Sequence, residues 1–382
     1  MKVYLDNNST TPLHKDVMAL MAESLTFYEN PSSSHSAGIR VRKMIENARE
    51  HCSALINSEV DDIIFTSGGT ESNNTVLNYT HLVNLISKNK KRNEVIVSTI
   101  EHHSVLNCAK ALEKGGVKVL FAPVDSKGNI NLDCYKSLIS EKTVLVSIML
   151  ANNELGTIQD IKKLAEIAHE NGALFHTDAV QAVGKMTVDV IDLDIDYLSY
   201  TGHKFYGPKG TGVLYIKKGI PFTPLNYGGE QEKGRRSGTE NITGIIGTGK
   251  AAEISIKNMG IWNEKYSLLK NKLINGIRAS IDNVQINGNL NNCLSQTLNI
   301  SFIGTEGETV LVYLDNKGIS VSTGAACSAG SVSHVLNAIG FNTKMANSTI
   351  RISLGYHNTE EQIEYTITEL QKIIPRVRNG RI

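Results

Sequence analysis

The stretch DIDYLSYTGHKFYGPKGTGVLYI, residues 194–216, contains two apolar runs with a polar, glycine-rich turn between them. We predict strands over DIDYLSYT (194–201) and GVLYI (212–216) from these runs. A surface loop would explain the glycines and Lys204, but the same turn also places a hydroxyl and a histidine beside that lysine. Ligands of open parallel sheets bind at the carboxyl ends of strands, so this turn is a candidate site.

The same kind of apolar run recurs upstream, in alternation with helical patterns. Between 159 and 170, Ile161, Leu164, Ile167 and Ala168 mark one helix face, and Gly172 lies where that helix should stop. Several runs are apolar throughout, as expected for strands covered on both faces. The succession predicts an α/β fold with a mostly parallel, seven-stranded sheet. Its other strands are DDIIFTS (61–67), EVIVST (94–99), VKVLFA (117–122), TVLVSIML (143–150) and ALFHTD (173–178).

The pattern changes after about residue 255. A helical region around Trp262–Ile281 precedes three further predicted strands and a final helix from about Glu360. We therefore expect a large domain over 16–255 and a smaller α+β domain formed by 1–15 and 256–382. The three strands are TLNISFIG (297–304), GISVST (318–323) and STIRISLG (348–355).

Composition excludes several classes of function. The 382 residues carry a net charge of +1, so no overall field would recruit nucleic acid or an anionic membrane. The apolar runs are too short to cross a bilayer, and the start shows no signal-peptide pattern. The five cysteines form no CxxC pair, which favours a reducing cytoplasm over a disulfide framework or a zinc ribbon.

Polar groups also follow other predicted strands. TSGGTESNN (66–74) joins a strand, two glycines, Thr70 and a helix start, which suits a phosphate, although such turns are often purely structural. HTDAVQAVGK (176–185) places Asp178 at a strand end, either as a helix cap or as a partner for a protonated ring nitrogen. EHHSV (101–105) offers two histidines, but no third metal ligand lies at a standard spacing, so we predict no metal.

These groups together indicate one cofactor, pyridoxal phosphate. Its aldehyde needs a lysine for a Schiff base, a role that Lys204 can fill. Its ring nitrogen needs an acidic partner such as Asp178, so that the ring can act as an electron sink. Its phosphate needs N–H and hydroxyl donors, which Thr70, Thr201 and His203 could supply.

Motifs along nearly the whole chain resemble those of fold-type I pyridoxal-phosphate enzymes, specifically cysteine desulfurases of the NifS/IscS type. The resemblance implies a PLP-dependent transferase fold, a homodimer and the conversion of L-cysteine into L-alanine with a persulfide on Cys327. The motifs that carry it include YLDNNSTTP (4–12), NPSSSH (30–35), TSGGTESNN, NNELG (152–156), HTDAVQAVGK, GHKFYGPKGTG (202–212), RRSGTEN (235–241), STGAACSAG (322–330) and IRISLG (350–355).

The resemblance also implies a role for each matching residue. Lys204 would bind the cofactor covalently, Asp178 would pair with the ring nitrogen, and Gln181 would contact the phenolic oxygen. His102 would stack on the ring and help to move protons. The phosphate would be held by Gly69, Thr70, Thr201 and His203, and by Thr239 from a second subunit. The substrate carboxylate would be received by Asn153 and Arg351, with Asn30 nearby.

Cys327 lies in a run of small residues, which predicts a flexible loop that could carry a nucleophile between the substrate and a partner. The alternative is a buried and inert cysteine, which is the more common case for a free cysteine. Three departures from the family's pattern stand near these sites: Thr201 in place of serine, Ala325 in place of serine, and a shorter loop after Cys327. The shorter loop puts sulfur delivery in doubt more than the chemistry itself.

The predicted function is therefore a cysteine desulfurase that passes sulfur to an acceptor protein, such as an iron–sulfur scaffold or a tRNA-thiolating enzyme. The alternatives are a selenocysteine lyase or another class-V aminotransferase-type enzyme. A non-catalytic protein on the same fold would show gaps in the cofactor residues, and the sequence shows none. A nucleotide-binding Rossmann protein is disfavoured because no GxGxxG follows a strand.

Overall fold

The computed structural model describes residues 1–78, 81–83, 86, 92–323 and 332–380. Within them, a central sheet contains the seven strands β2 (Ile63–Thr66), β3 (Glu94–Ser98), β4 (Lys118–Ala122), β5 (Thr143–Ser147), β6 (Leu174–Asp178), β7 (Tyr197–Thr201) and β8 (Gly212–Ile216). Their order is β2-β8-β7-β6-β5-β3-β4. Neighbouring strands are parallel except for β8, which runs antiparallel to both β2 and β7.

The seven predicted strands are confirmed, and their burial explains why the sequence reveals them. Every residue of β2, β3, β5, β7 and β8 is buried. Strands covered on both faces need apolar side chains at nearly every position rather than at alternate ones. The mostly parallel α/β sheet is therefore as expected.

Helices cover this sheet and connect its strands. α6 ends just before Gly172, whose φ of +71° confirms the predicted stop. Among the described residues, no helix is both long enough and apolar enough to cross a membrane. The helices are α1 (Lys15–Ser24), α2 (Ser36–Ala54), α3 (Gly69–Val76), α4 (His103–Lys114), α5 (Leu132–Leu138), α6 (Ile161–Glu170), α7 (Ile242–Ser280), α8 (Gly307–Asp315), α9 (His334–Ala338), α10 (Thr343–Asn347) and α11 (Glu360–Arg378), with 3-10 turns at Val60–Asp62 and Gly202–Lys204.

A second, smaller sheet is antiparallel. It consists of β12 (Thr349–Ser353), β10 (Thr297–Phe302) and β9 (Val284–Asn287), in that order. Near the other end of the chain, β1 (Val3–Tyr4) pairs in parallel with β11 (Ile319–Ser320). The segment after β1 continues along β12, because Asp6 forms a bridge to Ser353. The N-terminal residues thus lie against the smaller sheet.

The longest helix, α7, runs through the predicted domain boundary at residue 255. Its first half was not recognised as helical in the sequence, because glycines interrupt the pattern there. The structure gives these glycines a packing role: a Cβ on Gly249 would lie 2.5 Å from the Cα of Ala48 in α2, and one on Gly247 would lie 2.8 Å from Met21 in α1. The division into 16–255 and 1–15 with 256–382 stays a proposal.

A buried ion pair joins α2 to the start of the sheet. The Arg49 guanidinium donates to both carboxylate oxygens of Glu232, at 2.6 and 2.8 Å. The same carboxylate accepts the backbone N–H of Phe65 in β2 at 3.0 Å. Both charged side chains are less than one-tenth exposed, so each depends on the other for its charge balance.

Replacing Glu232 with glutamine should lower the free energy of unfolding by about 3 kcal/mol, because Arg49 would stay buried without its main counter-charge. Glu46→Gln is the matched control, since Glu46 pairs with the same guanidinium but is half exposed. It should cost less than about 1 kcal/mol. Urea unfolding of both variants measures the difference, and equal losses would contradict the assignment.

Candidate active site

A cavity of about 420 Å³ opens where the strands of the central sheet end. Parallel strands bring their carboxyl ends to one edge, so residues distant in sequence meet there. This size suits a cofactor-sized ligand. The predicted site residues that line it are Gly69, Thr70, His102, Asn153, Asp178, Gln181, Thr201, His203, Lys204 and Arg351.

Three predicted residues are not among those lining this cavity. Asn30 is exposed, and its side chain accepts the backbone N–H of Ser32 at 2.8 Å. Thr239 is exposed and lines a different cavity of about 150 Å³, together with Ser67 and Arg236. Cys327 lies outside the described residues.

Lys204 lies in the 3-10 turn that follows β7. Its ammonium donates to the carbonyl oxygens of Asn8 at 2.7 Å and Ser9 at 2.6 Å. The turn packs tightly against α7, because a Cβ on Gly202 would lie 2.7 Å from the hydroxyl oxygen of Thr248. The N-terminal segment and α7 therefore hold the lysine at the cavity from two sides.

Asp178 ends β6, directly beside β7 in the sheet. Its Oδ1 accepts the backbone N–H of Val180 at 2.9 Å, and its Oδ2 accepts the Asn73 side-chain amide at 2.7 Å. The same Asn73 nitrogen donates to the hydroxyl of Ser104 at 2.9 Å. This carboxylate is 4% exposed, so hydrogen bonds fix its orientation at the cavity.

His102 caps the N-terminus of α4. Its Nδ1 accepts the backbone N–H of Ser104 at 3.1 Å, so the proton of the neutral ring lies on Nε2. Burial lowers the pKa of His102, and the charges of Lys204 and His103 lower it further against the opposing effect of Asp178. A neutral imidazole at the cavity can both stack on a ring and exchange a proton.

The start of α3 and the end of β7 form the corner predicted to hold a phosphate. Gly69 lies in the first turn of α3, and a Cβ there would lie 2.7 Å from Val180. Burial, with help from Lys204, lowers the pKa of His203 to about 3, so this ring is neutral. The Thr201 hydroxyl donates to the Thr211 carbonyl at 2.7 Å. It must rotate before it can donate to a phosphate.

Arg351 lies on β12 and reaches the cavity from the smaller sheet. One nitrogen donates to Asp6 at 2.7 Å and to Ser9 at 2.9 Å, and another donates to the Asn153 carbonyl at 3.1 Å. Its Nε is buried and has no hydrogen-bond partner among the described residues. The guanidinium thus has an ion pair within the chain and a donor left for a further anion.

Some residues of the cavity lining were not singled out in the sequence. They include Asn8, Ser9, Asn73 and Ser104. Asn73 follows Thr70 by one helical turn in a motif that was noted, so its position on α3 could have drawn attention to it. Asn152, by contrast, forms a turn as expected of an asparagine there, because its Oδ1 accepts the N–H groups of Glu154 and Leu155.

The sequence model of the class-V aminotransferase family matches residues 3–366. The chain belongs to this family. It is 45% identical over 382 residues to the cysteine desulfurase IscS of Clostridium botulinum strain Hall, covering 99% of this chain and 95% of that protein.

Two solved structures are also similar to this member of the family. A NifS-like protein has a TM-score of 0.92 and 38% identity, covering 98% of this chain and all of that one. The second, titled SspA in complex with cysteine, has a TM-score of 0.81 and 32% identity, covering 94% of this chain and 100% of that one.

The cofactor of the family is pyridoxal phosphate, and the cavity has the donors it requires. An amine, a buried carboxylate and a neutral imidazole meet at the strand ends, beside the N-terminus of a helix. Two buried polar atoms of lining residues, Asn73 Oδ1 and Asn8 Oδ1, lack partners among the described residues. Within those residues, no group of three or more His, Cys, Asp or Glu side chains could hold a metal ion.

Glu154 lies next to Asn153 and is 4% exposed. It accepts the hydroxyl of Ser333 at 2.6 Å, at the N-terminus of α9. Burial raises the pKa of this carboxyl to about 7, against the opposing effects of Ser333 and Arg351. The native state therefore binds a proton at Glu154 more tightly than the unfolded chain does.

Glu154→Gln should remove a pH dependence of stability. The stability contributed by the protonated carboxyl is fully present below its unfolded pKa and is lost as the pH rises through about 7. Between pH 4.5, the ordinary pKa of a glutamate, and about pH 7, the free energy of unfolding of the variant should rise by about 3 kcal/mol relative to that of the wild type. Urea unfolding at a series of pH values measures this, and parallel curves for the two proteins would contradict it.

Proposed function

We propose that this chain is a pyridoxal-phosphate-dependent cysteine desulfurase, which converts L-cysteine to L-alanine and leaves the sulfur as a persulfide on Cys327. The main support is that Lys204, Asp178 and His102, from three strand ends, line one cavity. The relative from Clostridium botulinum carries the name of this activity, and the SspA relative was solved with cysteine.

Bound pyridoxal phosphate supplies an aldehyde for an amine and a ring that takes up negative charge from the substrate Cα. Asp178 would hold the ring nitrogen, and Gln181 would hold the phenolic oxygen. The phosphate would be held by Gly69, Thr70, Thr201 and His203, with Thr239 contributed by a second copy of the chain.

Arg351 and Asn153 would bind the carboxylate of the substrate. The guanidinium can present two parallel N–H groups to a carboxylate, which fixes the orientation of the amino acid as well as its position. Arg351 already forms an ion pair with Asp6. The substrate carboxylate would either replace Asp6 as its partner or bind beside it. Asn30 would lie near the substrate carboxylate.

Protons would be moved by Lys204 and His102. A lysine amine is a base, and the Lys204 amine at the cavity would take the proton from the substrate Cα. The neutral His102 ring can hold a proton near the substrate sulfur and return it, because its low pKa keeps it uncharged between transfers.

Cys327 would take the sulfur in the last step. Its thiolate attacks the sulfur of the substrate, a sulfur–sulfur bond forms, and the bond from substrate Cβ to sulfur breaks. The electron pair of the broken bond stays on the carbon fragment, which gains a proton to become L-alanine. An ordinary cysteine with a pKa near ~8.5 is mostly protonated at neutral pH, so a neighbouring base such as His102 would assist this attack.

Three features of the wider function are part of the same proposal. The enzyme would be a homodimer, because Thr239 lines no part of the cavity within its own chain. A protein such as an iron–sulfur scaffold or a tRNA-thiolating enzyme would receive the sulfur. The cytoplasm is the proposed location, because a free persulfide-forming cysteine needs reducing surroundings.

Cys327→Ser should retain the yellow cofactor and the binding of cysteine but should form no persulfide and no alanine. Cys293→Ser is the matched control, since Cys293 is a free, partly exposed cysteine that does not line the cavity, and it should keep full turnover. Alanine and sulfide are assayed from L-cysteine without any keto acid, which an aminotransferase would require. Turnover in Cys327→Ser, or dependence of the wild type on a keto acid, would overturn the proposal, and a large preference for selenocysteine would favour a lyase.

A further inference from the structure

Lys185 ends the turn that follows β6, and the backbone there is tightly constrained. Gly184 has a φ of +75°, and a Cβ at this glycine would lie 2.5 Å from the Cβ of Phe205, the neighbour of Lys204. The carbonyl of Lys185 accepts the side-chain amide of Asn263 in α7 at 2.8 Å. The turn and α7 together fix where the Lys185 side chain enters the interior.

The Lys185 amine is buried and lacks a carboxylate partner. The residue is 7% exposed, and it forms no salt bridge with a carboxylate in the described part of the chain. Its amine donates to Oε1 of Gln181 at 2.7 Å. Burial, with the like charges of Lys204 and Arg351, holds the pKa of Lys185 well below its usual range, so the charged form of the amine is disfavoured.

Gln181 stands between this amine and the cavity. Its Nε2 donates to the carbonyl of Asn8 at 2.9 Å, and this carbonyl also accepts the Lys204 ammonium. A side-chain amide has two N–H donors, so a second N–H of Gln181 remains for a ligand in the cavity that it lines. Turning the amide over would set Oε1 against the Asn8 carbonyl, which is an unfavourable pair of acceptors.

We propose that Lys185 is a positioning residue, which fixes the Gln181 amide so that its N–H end, not its carbonyl, is offered to the cofactor's phenolic oxygen. The inference rests on the proposed function for the identity of that oxygen. Lys185 does not line the cavity, and the lining residue to which its amine donates is Gln181. The Lys185 amine donates to Oε1 and the Asn8 carbonyl accepts from Nε2, so these two contacts together select one amide orientation over the other.

Lys185→Met keeps a long side chain in the interior and removes the donor. In this variant only the Asn8 carbonyl still favours the present orientation, so the amide turns over more readily and the phenolic oxygen then loses an N–H donor. Since that hydrogen bond stabilises negative charge on the oxygen, its loss should make the linkage between Lys204 and the cofactor harder to deprotonate. The pH at which the bound cofactor changes colour should rise by about one unit, as for a charged group that loses one hydrogen bond.

Lys270→Met is the matched control, because Lys270 is equally buried but contacts Cys293 and the Leu294 carbonyl. It should lose stability without moving the colour change. Gln181→Leu should raise the transition as Lys185→Met does. The double variant Gln181→Leu with Lys185→Met should equal the single Gln181→Leu variant, because a positioning role needs the Gln181 amide.

The spectral titration begins with the wild type, because its result separates a failure of the proposed function from a failure of the positioning role of Lys185. A wild type that binds no cofactor would defeat the proposed function itself. If the wild type binds and titrates, an unmoved transition in Lys185→Met would overturn the positioning role alone. A further shift in the double variant would also overturn it, because the lysine would then act directly through its own field.

Discussion

Lys204 and Asp178 stand at the carboxyl ends of two adjacent parallel strands, β7 and β6, where the register pairs Asp178 with Ser199. The rest of the site depends on this parallel arrangement. It brings the Lys204 amine and the Asp178 carboxylate to the same edge of the sheet, although the two residues are far apart in the sequence. Both strands are buried along almost their whole length. The sheet edge therefore presents both groups that pyridoxal phosphate needs, the Lys204 amine for its aldehyde and the Asp178 carboxylate for its ring nitrogen.

The N-terminal segment completes that edge from the outside. The carbonyls of Asn8 and Ser9 receive the Lys204 ammonium, while Asp6 receives Arg351 from the smaller sheet. Residues 6–9 therefore provide partners both for Lys204, which follows a strand of the central sheet, and for Arg351, which lies on the smaller sheet. Unpaired buried charges are costly, and these contacts provide partners for the charges of Lys204 and Arg351.

The sequence predicts the central sheet well because buried parallel strands are continuous apolar runs. It also predicts the grouping of Asp178, Gln181 and Lys204, because motifs at strand ends share one edge. It does not reveal the first half of α7, where glycines at 247 and 249 serve close packing and hide the helical pattern. Nor does it reveal Asn73 or Asn8, whose roles depend on hydrogen bonds between elements far apart in the chain.

The central claim is that Lys204 is the residue that binds pyridoxal phosphate. The most direct measurement is to load the chain with the cofactor, reduce it with borohydride and map the modified lysine by peptide mass spectrometry. The account predicts a pyridoxyl group on Lys204. A pyridoxyl group on the nearby Lys185 or Lys209 instead, or no modification of any lysine, would contradict it.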